Sequence, residues 1–268
     1  MLDLVFGSTP DGTVYDITGP DDAPAVVLVH GLGLSRATFD QHLVALSERY
    51  RVIRYDLFGH GESADPKEPL TLTTFSEQTV TLLDTLNVPA AAVVGFSLGG
   101  MINRRLAIDH PNRVTALAVL NSPHERTPEA QQLVEQRALD TAAGGPGANI
   151  ETTLARWFTE DFRTANPGVV EQVRTGVVAN RPEPYAQSRF VLANGVLETI
   201  RPEPPLTVPT LVMTCENDTG STPAMSQAIA SETAGAELII VPRLQHLGLL
   251  EQPDTFTDAL IDFLDRVL

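Results

Sequence analysis

Continuous apolar runs alternate along much of the chain with stretches whose apolar residues recur at helical spacing. Val14 to Ile17 forms a short run after the turn signal Pro10-Asp11-Gly12, and Ala25-Val26-Val27-Leu28-Val29 leads directly into His30-Gly31-Leu32-Gly33. The same shape recurs at Arg51–Tyr55, Ala91–Gly95, Val114–Leu120, Thr210–Met213 and Glu237–Val241. Uninterrupted apolar residues suit strands covered on both faces, as in a parallel sheet. Between the runs, the spacing predicts helices over Ser35–Tyr50, Thr71–Leu86, Leu98–Asp109, Pro223–Ala234 and Pro253–Leu268. Strand and helix in alternation predict an α/β fold.

The alternation stops after Leu120. From 123 to 205 there is no convincing strand, but amphipathic stretches over Pro128–Ala143, Ile150–Phe158, Val169–Ala179 and Pro184–Leu192. Gly144-Gly145-Pro146-Gly147 and Pro202-Glu203-Pro204-Pro205 punctuate them. This predicts a helical cap, 123–205, inserted at the carboxyl end of a strand and dividing a core of 1–122 and 206–268.

With 43% hydrophobic residues over 268 positions, the chain is expected to form one well-cored domain with an insertion, and disorder is excluded. Eighteen Lys and Arg against 34 acids give a net charge of −16. That balance disfavours nucleic acid or an anionic membrane surface as a partner, since both demand clustered cations. A lone cysteine, Cys215, makes no internal disulfide and no cysteine metal framework, and reads as a small buried residue. Met1-Leu2-Asp3-Leu4-Val5-Phe6-Gly7 carries an acid where a secretory signal would carry Lys or Arg. No apolar run approaches the roughly 20 residues that span a bilayer. The expectation is a cytoplasmic protein with a small-molecule substrate, no nucleic acid and no membrane partner; a homo-oligomer is left open.

The strongest chemical signal is Gly95-Phe96-Ser97-Leu98-Gly99-Gly100, which follows an apolar strand and opens a helix. This is the G-x-S-x-G elbow in its confirming context of strand, sharp turn and helix. The flanking glycines make room for a strained serine, and the helix start aims the Leu98 N–H at a developing oxyanion. The glycines of His30-Gly31-Leu32-Gly33 let the chain turn beside that serine, so the Leu32 N–H is the candidate second donor. A serine needs a base, and an imidazole oriented by a carboxylate is the usual solution. Of the six histidines, His30 is expected to hold its loop, and His42, His60 and His110 read as structural or surface residues. His246 lies in the loop after the last strand and can reach over the sheet edge. Asp218, in Cys215-Glu216-Asn217-Asp218, lies one strand earlier and is preferred to Glu216 because it sits further into the loop that must bend toward the histidine. The order Ser97, Asp218, His246 is that of an α/β-hydrolase.

These segments, with Tyr55-Asp56-Leu57-Phe58-Gly59-His60-Gly61-Glu62-Ser63, make the chain resemble the α/β-hydrolase superfamily over nearly its whole length. Within it, the core and Ala155-Arg156-Trp157-Phe158-Thr159-Glu160-Asp161-Phe162 are similar to 3-oxoadipate enol-lactonases. Cys215, where relatives commonly have Gly, and Ala193-Asn194-Gly195 depart from that pattern. The resemblance implies a mostly parallel eight-stranded sheet with the cap after strand six. It also implies a serine hydrolase of a small ester or lactone acting through an acyl-enzyme, without metal or organic cofactor. The alternatives it leaves are carbon-carbon or amide bond hydrolysis in ring degradation, cofactor-free haloperoxidase or perhydrolase chemistry, and a non-catalytic small-molecule receptor. Serine at the elbow argues against the aspartate-ester chemistry of dehalogenases and epoxide hydrolases. Leu247-Gly248-Leu249-Leu250 lacks the Trp that carbon-carbon hydrolases commonly carry there. Candidate substrate contacts are Phe96 beside the nucleophile, Trp157 in the cap, and His124 and Arg126 after the strand ending at Leu120. Arg104 and Arg105 are more than a turn from Ser97 and read as surface or cap-bridging residues.

Overall fold

The structure, a computed structural model, describes residues 3–268; Met1 and Leu2, the start of the stretch read above for a signal, lie outside them. Eight strands form one sheet: β1 (Val5–Ser8), β2 (Val14–Thr18), β3 (Ala25–Val29), β4 (Arg51–Tyr55), β5 (Ala91–Phe96), β6 (Val114–Leu120), β7 (Thr210–Cys215) and β8 (Glu237–Val241). Their order is β1-β2-β4-β3-β5-β6-β7-β8, parallel from β4 to β8, with β2 antiparallel to both β1 and β4. The chain steps from β3 outward to β4, then back across β3 to β5, and continues in that direction. Right-handed crossovers taken in opposite directions place their helices on opposite faces. So α1 (Leu43–Ser47), between β3 and β4, packs with the terminal helix α11 (Pro253–Val267). On the other face α2 (Leu72–Thr85) packs with α3 (Leu98–Asp109), and α9 (Pro223–Ser231) packs on β7 and β8. The short α10 (Gly248–Glu251) precedes α11.

The central strands show why their runs are unbroken: β5 is buried at all six residues and β7 likewise. Two elements differ from expectation. The stretch Ser35–Tyr50 is not one helix but a 3-10 segment, Arg36–His42, followed by α1. Here the Arg36 N–H donates to Asp56 Oδ1 at 2.8 Å, and the Arg36 side chain reaches Asp16, Asp56 and Glu62. This tertiary anchoring overrides the helical period. The strand β1 carries no continuous apolar run, because as an edge strand it leaves Val5 and Phe6 exposed.

After β6 come five helices and no strand until β7: α4 (Pro128–Gly144), α5 (Ile150–Trp157), α6 (Glu160–Ala165), α7 (Pro167–Val178) and α8 (Pro182–Asn194). Pro at the first turn and Thr caps set several of their starts; Thr127 accepts from the Ala130 N–H and Thr159 from the Phe162 N–H. The helices α4 and α8 pack together, as do α5 and α7. Among the described residues no helix is long and apolar enough to cross a membrane.

Candidate active site

The turn between β5 and α3 holds Ser97 at φ 55 and ψ −111, a sparsely populated conformation costing about 1–3 kcal/mol. A Cβ on Gly95 would sit 2.2 Å from the Gly99 carbonyl oxygen, and one on Gly99 would sit 2.2 Å from that of Val29. Glycine is therefore required on both sides of the serine. The strained residue is tied down on both flanks. Its N–H donates to Leu120 O at 2.8 Å, and its carbonyl accepts from Ser122 Oγ at 2.9 Å and from the Gly100 N–H at 3.0 Å. On its other side the loop after β3 comes close enough that a Cβ on Gly31 would lie 3.1 Å from the Ser97 Cβ. Leu32 lies in that loop and lines the pocket, while Leu98 is the first residue of α3.

His246 stands between Ser97 and Asp218, with Nε2 3.1 Å from Ser97 Oγ and Nδ1 2.6 Å from Asp218 Oδ2. The loops bearing the last two are laced together: the Glu216 N–H donates to Val241 O and the Asn217 N–H to Leu244 O. Asp218 is buried, and burial alone would raise its pKa. The neighbouring His246, by charge and hydrogen bond, and donation from Asn121 Nδ2 at 2.9 Å outweigh this and hold the carboxyl below its usual range. Its other oxygen accepts from the Gly220 and Ser221 N–H groups at 2.8 and 2.9 Å. An ionised Asp218 accepts from Nδ1–H, which leaves the Nε2 lone pair facing the serine hydroxyl. That arrangement can take a proton from Ser97. Asn121, which sequence reasoning missed, sits at φ 46 directly after β6; its signal was an amide at the carboxyl end of a central strand.

The rival groups are occupied elsewhere. Glu216 is exposed and accepts from the Arg243 N–H. His30 donates from Nδ1 to Gly31 O at 2.8 Å and accepts at Nε2 from the Leu57 N–H at 3.0 Å, so it pins two loops together. Burial lowers its pKa and keeps it neutral. His60 contacts Phe58 O and His42 contacts Thr257 Oγ1, while His110 pairs with Glu77 near the surface. Arg104 is buried rather than exposed: it donates to Gly100 O, Ser122 Oγ and Pro123 O, bridging α3 to the chain entering α4. Arg105 pairs with Asp109 and Glu198.

The pocket over Ser97 encloses about 70 Å³ of free space. Phe96 and Trp157 both line it, their ring centres 5.0 and 6.0 Å from that of His246. Arg126 lines it too, although its guanidinium donates to Gln131 Oε1 and to the carbonyls of Leu192 and Ala193. The expectation for His124 is corrected. It is not among the lining residues, because its Nε2 pairs with Glu232 at 2.9 Å on the far side of the β6 exit. Three charged lining residues were not anticipated: Arg137 on α4, Arg156 on α5 and Arg189 on α8. Their sequence neighbourhoods are those of ordinary amphipathic helices, so nothing in them marked a site. Among the described residues no group of His, Cys, Asp and Glu is arranged to hold a metal.

Comparison with known proteins points one way. A model of the alpha/beta hydrolase family matches residues 26–259. The chain is 29% identical over 253 residues to a 3-oxoadipate enol-lactonase of Acinetobacter baylyi, covering 92% of this chain and 90% of that one. It is 28% identical to the (E)-2-((N-methylformamido)methylene)succinate hydrolase of the same organism, covering 90% of each. The crystal structure of the enol-lactonase from Burkholderia xenovorans LB400 superposes with a TM-score of 0.88 at 32% identity, covering 97% of this chain and 100% of that one.

Proposed function

The chain belongs to the alpha/beta hydrolase family, and from that premise we propose that it is a serine hydrolase of a small carboxylic ester or lactone, working through an acyl-enzyme on Ser97. One observation carries this reading: a single imidazole bridges a strained serine and a buried carboxylate at hydrogen-bond distance on both sides. His246 Nε2 removes the Ser97 proton as Oγ attacks the substrate carbonyl. Asp218 keeps the imidazole in the correct tautomer and stabilises the imidazolium, without itself being protonated. The N–H groups of Leu32 and Leu98 hold the oxyanion, each worth about 3 kcal/mol of the barrier. The imidazolium returns the proton to the leaving alkoxide or enolate oxygen, and a water activated by His246 then releases the acid. Residues 123–205 act as a cap over a core of 1–122 and 206–268, with Phe96 and Trp157 walling the substrate and Arg126 bracing the cap. Relatives named for an enol-lactone and for a substituted succinate support a small, acid-bearing substrate.

Labelling tests the nucleophile. A fluorophosphonate should modify Ser97 in the wild type and fail in Ser97→Ala, with p-nitrophenyl acetate turned over by the former alone. Labelling of another residue, or turnover by Ser97→Ala near the wild-type rate, overturns the proposal.

A further inference from the structure

Four arginines line the pocket, against one acidic side chain among its described lining residues, Asp218. Arg126 is accounted for by the carbonyls at the end of α8. Arg137, Arg156 and Arg189 are not: among the described residues none of them donates a hydrogen bond or pairs with a carboxylate, and the Nε atoms of Arg156 and Arg189 are buried without a partner. Arg189 is 8% exposed. A buried cation left unpaired is costly, and guanidiniums that face one another repel. Burial, and then Arg137 and Arg189, push Arg156 down to about 10, and burial lowers Arg189 in turn, yet both stay charged at neutral pH. Asp218 offers them little relief. Both of its oxygens are engaged by His246, Asn121, Gly220 and Ser221. Arg126 keeps its charge as well, since its acceptors are neutral, so the lining carries four guanidiniums less one carboxylate, 4 − 1 = +3.

We propose that this pocket is a dianion site, and that the ester or lactone cleaved at Ser97 carries two further carboxylates held by Arg137, Arg156 and Arg189. Two carboxylates give the three unpartnered guanidiniums acceptors and bring the excess from +3 to +1, where one leaves +2 in a part-buried site. The three arginines sit on α4, α5 and α8, so the dianion also ties together three helices over the nucleophile, with Arg156 next to the Asp218 loop, 3.9 Å from where a Gly220 Cβ would lie. The arginines give the negatively charged protein a local field opposite to its overall one, and the substrate completes the site by offsetting it.

This inference rests on the serine-hydrolase reading, and an ester series separates the two. The p-nitrophenyl monoesters of butyrate, succinate and tricarballylate present zero, one and two free carboxylates on a similar chain. Expected kcat/KM rises about 10- to 100-fold from the neutral to the dianionic ester, with the singly charged ester between. In Arg156→Gln and Arg189→Gln the dianionic-to-neutral ratio falls by a comparable factor. In Ser97→Ala, tricarballylate, the product of the dianionic ester, should raise the melting temperature more than succinate, and succinate more than butyrate. If the wild type is labelled at Ser97 but prefers the neutral or singly charged ester, the dianion site is overturned and the hydrolase reading stands. If no ester is cleaved and Ser97 is not labelled, the hydrolase reading falls, and the dianion site falls with it unless tricarballylate still stabilises the protein selectively.

Discussion

On the sheet side of the pocket Ser97 Oγ, both nitrogens of His246 and both carboxylate oxygens of Asp218 are engaged with protein partners, whereas on the helix side three guanidiniums have none. Two further arginines, the buried Arg54 and the half-buried Arg36, make the contrast sharper. Arg54 donates to Asp16 at 2.6 Å and also reaches Asp40, while Arg36 is shared between Asp16, Asp56 and Glu62. Gly61 at φ 49 belongs to the same cluster, since a Cβ there would sit 2.3 Å from the Asp56 carboxylate. The same residue type serves two ends. Saturated by carboxylates, it fixes loops of the fold; left unsaturated, it is available to a ligand. Electrostatic preorganisation favours fixed dipoles where charge develops in the reaction, and open cations where charge arrives with the substrate.

The largest effect should come from breaking the engaged side. Asp218→Asn keeps the shape but offers Nδ1 an amide, favouring the wrong tautomer, and kcat should fall about 10⁴-fold with KM little changed. A loss below tenfold, measured by steady-state kinetics on a p-nitrophenyl ester, would remove Asp218 from the site. Next in size is the difference between the two sets of arginines. Arg54→Met leaves Asp16 buried and one partner short, so urea unfolding should show a loss of about 3–5 kcal/mol. Arg189→Met removes a repelled charge and should cost under about 1 kcal/mol or stabilise the fold. Equal losses would erase the distinction drawn here.

Acid should then act on two buried histidines before it reaches the carboxylates. Burial lowers His42 to about 4; burial and His30 lower His60 to about 3. In the unfolded chain both titrate near 6.5, so below that pH the unfolded state binds more protons and stability falls until the folded values are reached. Asp218 runs the other way in charge but not in outcome. Its folded pKa is depressed, so its contribution is complete above about 3.9 and is lost only at lower pH. Between pH 7 and 5 the two histidines alone should remove about 4 kcal/mol, read as a drop in the urea midpoint. A midpoint that does not move over this range would mean that these rings are already charged, or solvated, in the folded protein.

How much of this was legible before the structure follows from where each constraint lies. Ser97 could be found because its demands are local: a strand, two glycines that a Cβ would violate, and a helix, all within a dozen residues. Asp218 and His246 were legible through chain order, each sitting just past an apolar run. His124 misled because a position past the end of a strand says which edge of the sheet a side chain is near, not which way it turns, and Glu232 on the loop after α9 turns it away. The break at Arg36–His42 was hidden for a similar reason, since Asp16 and Asp56 lie about 20 residues to either side.

The sequence by itself determined the sheet and the elbow, and it named Asp218 and His246, the two groups that lie beside Ser97, because backbone sterics and buried-strand periodicity act over short distances. Only the tertiary structure decided which faces of α4, α5 and α8 look toward the pocket. Arg137, Arg156 and Arg189 are far apart in the chain, and each looks like the solvated charge of an amphipathic helix until α4, α5 and α8 bring them to the pocket beside Ser97. Their meaning lies in an absence of partners, and that is a property of the assembled pocket rather than of any segment.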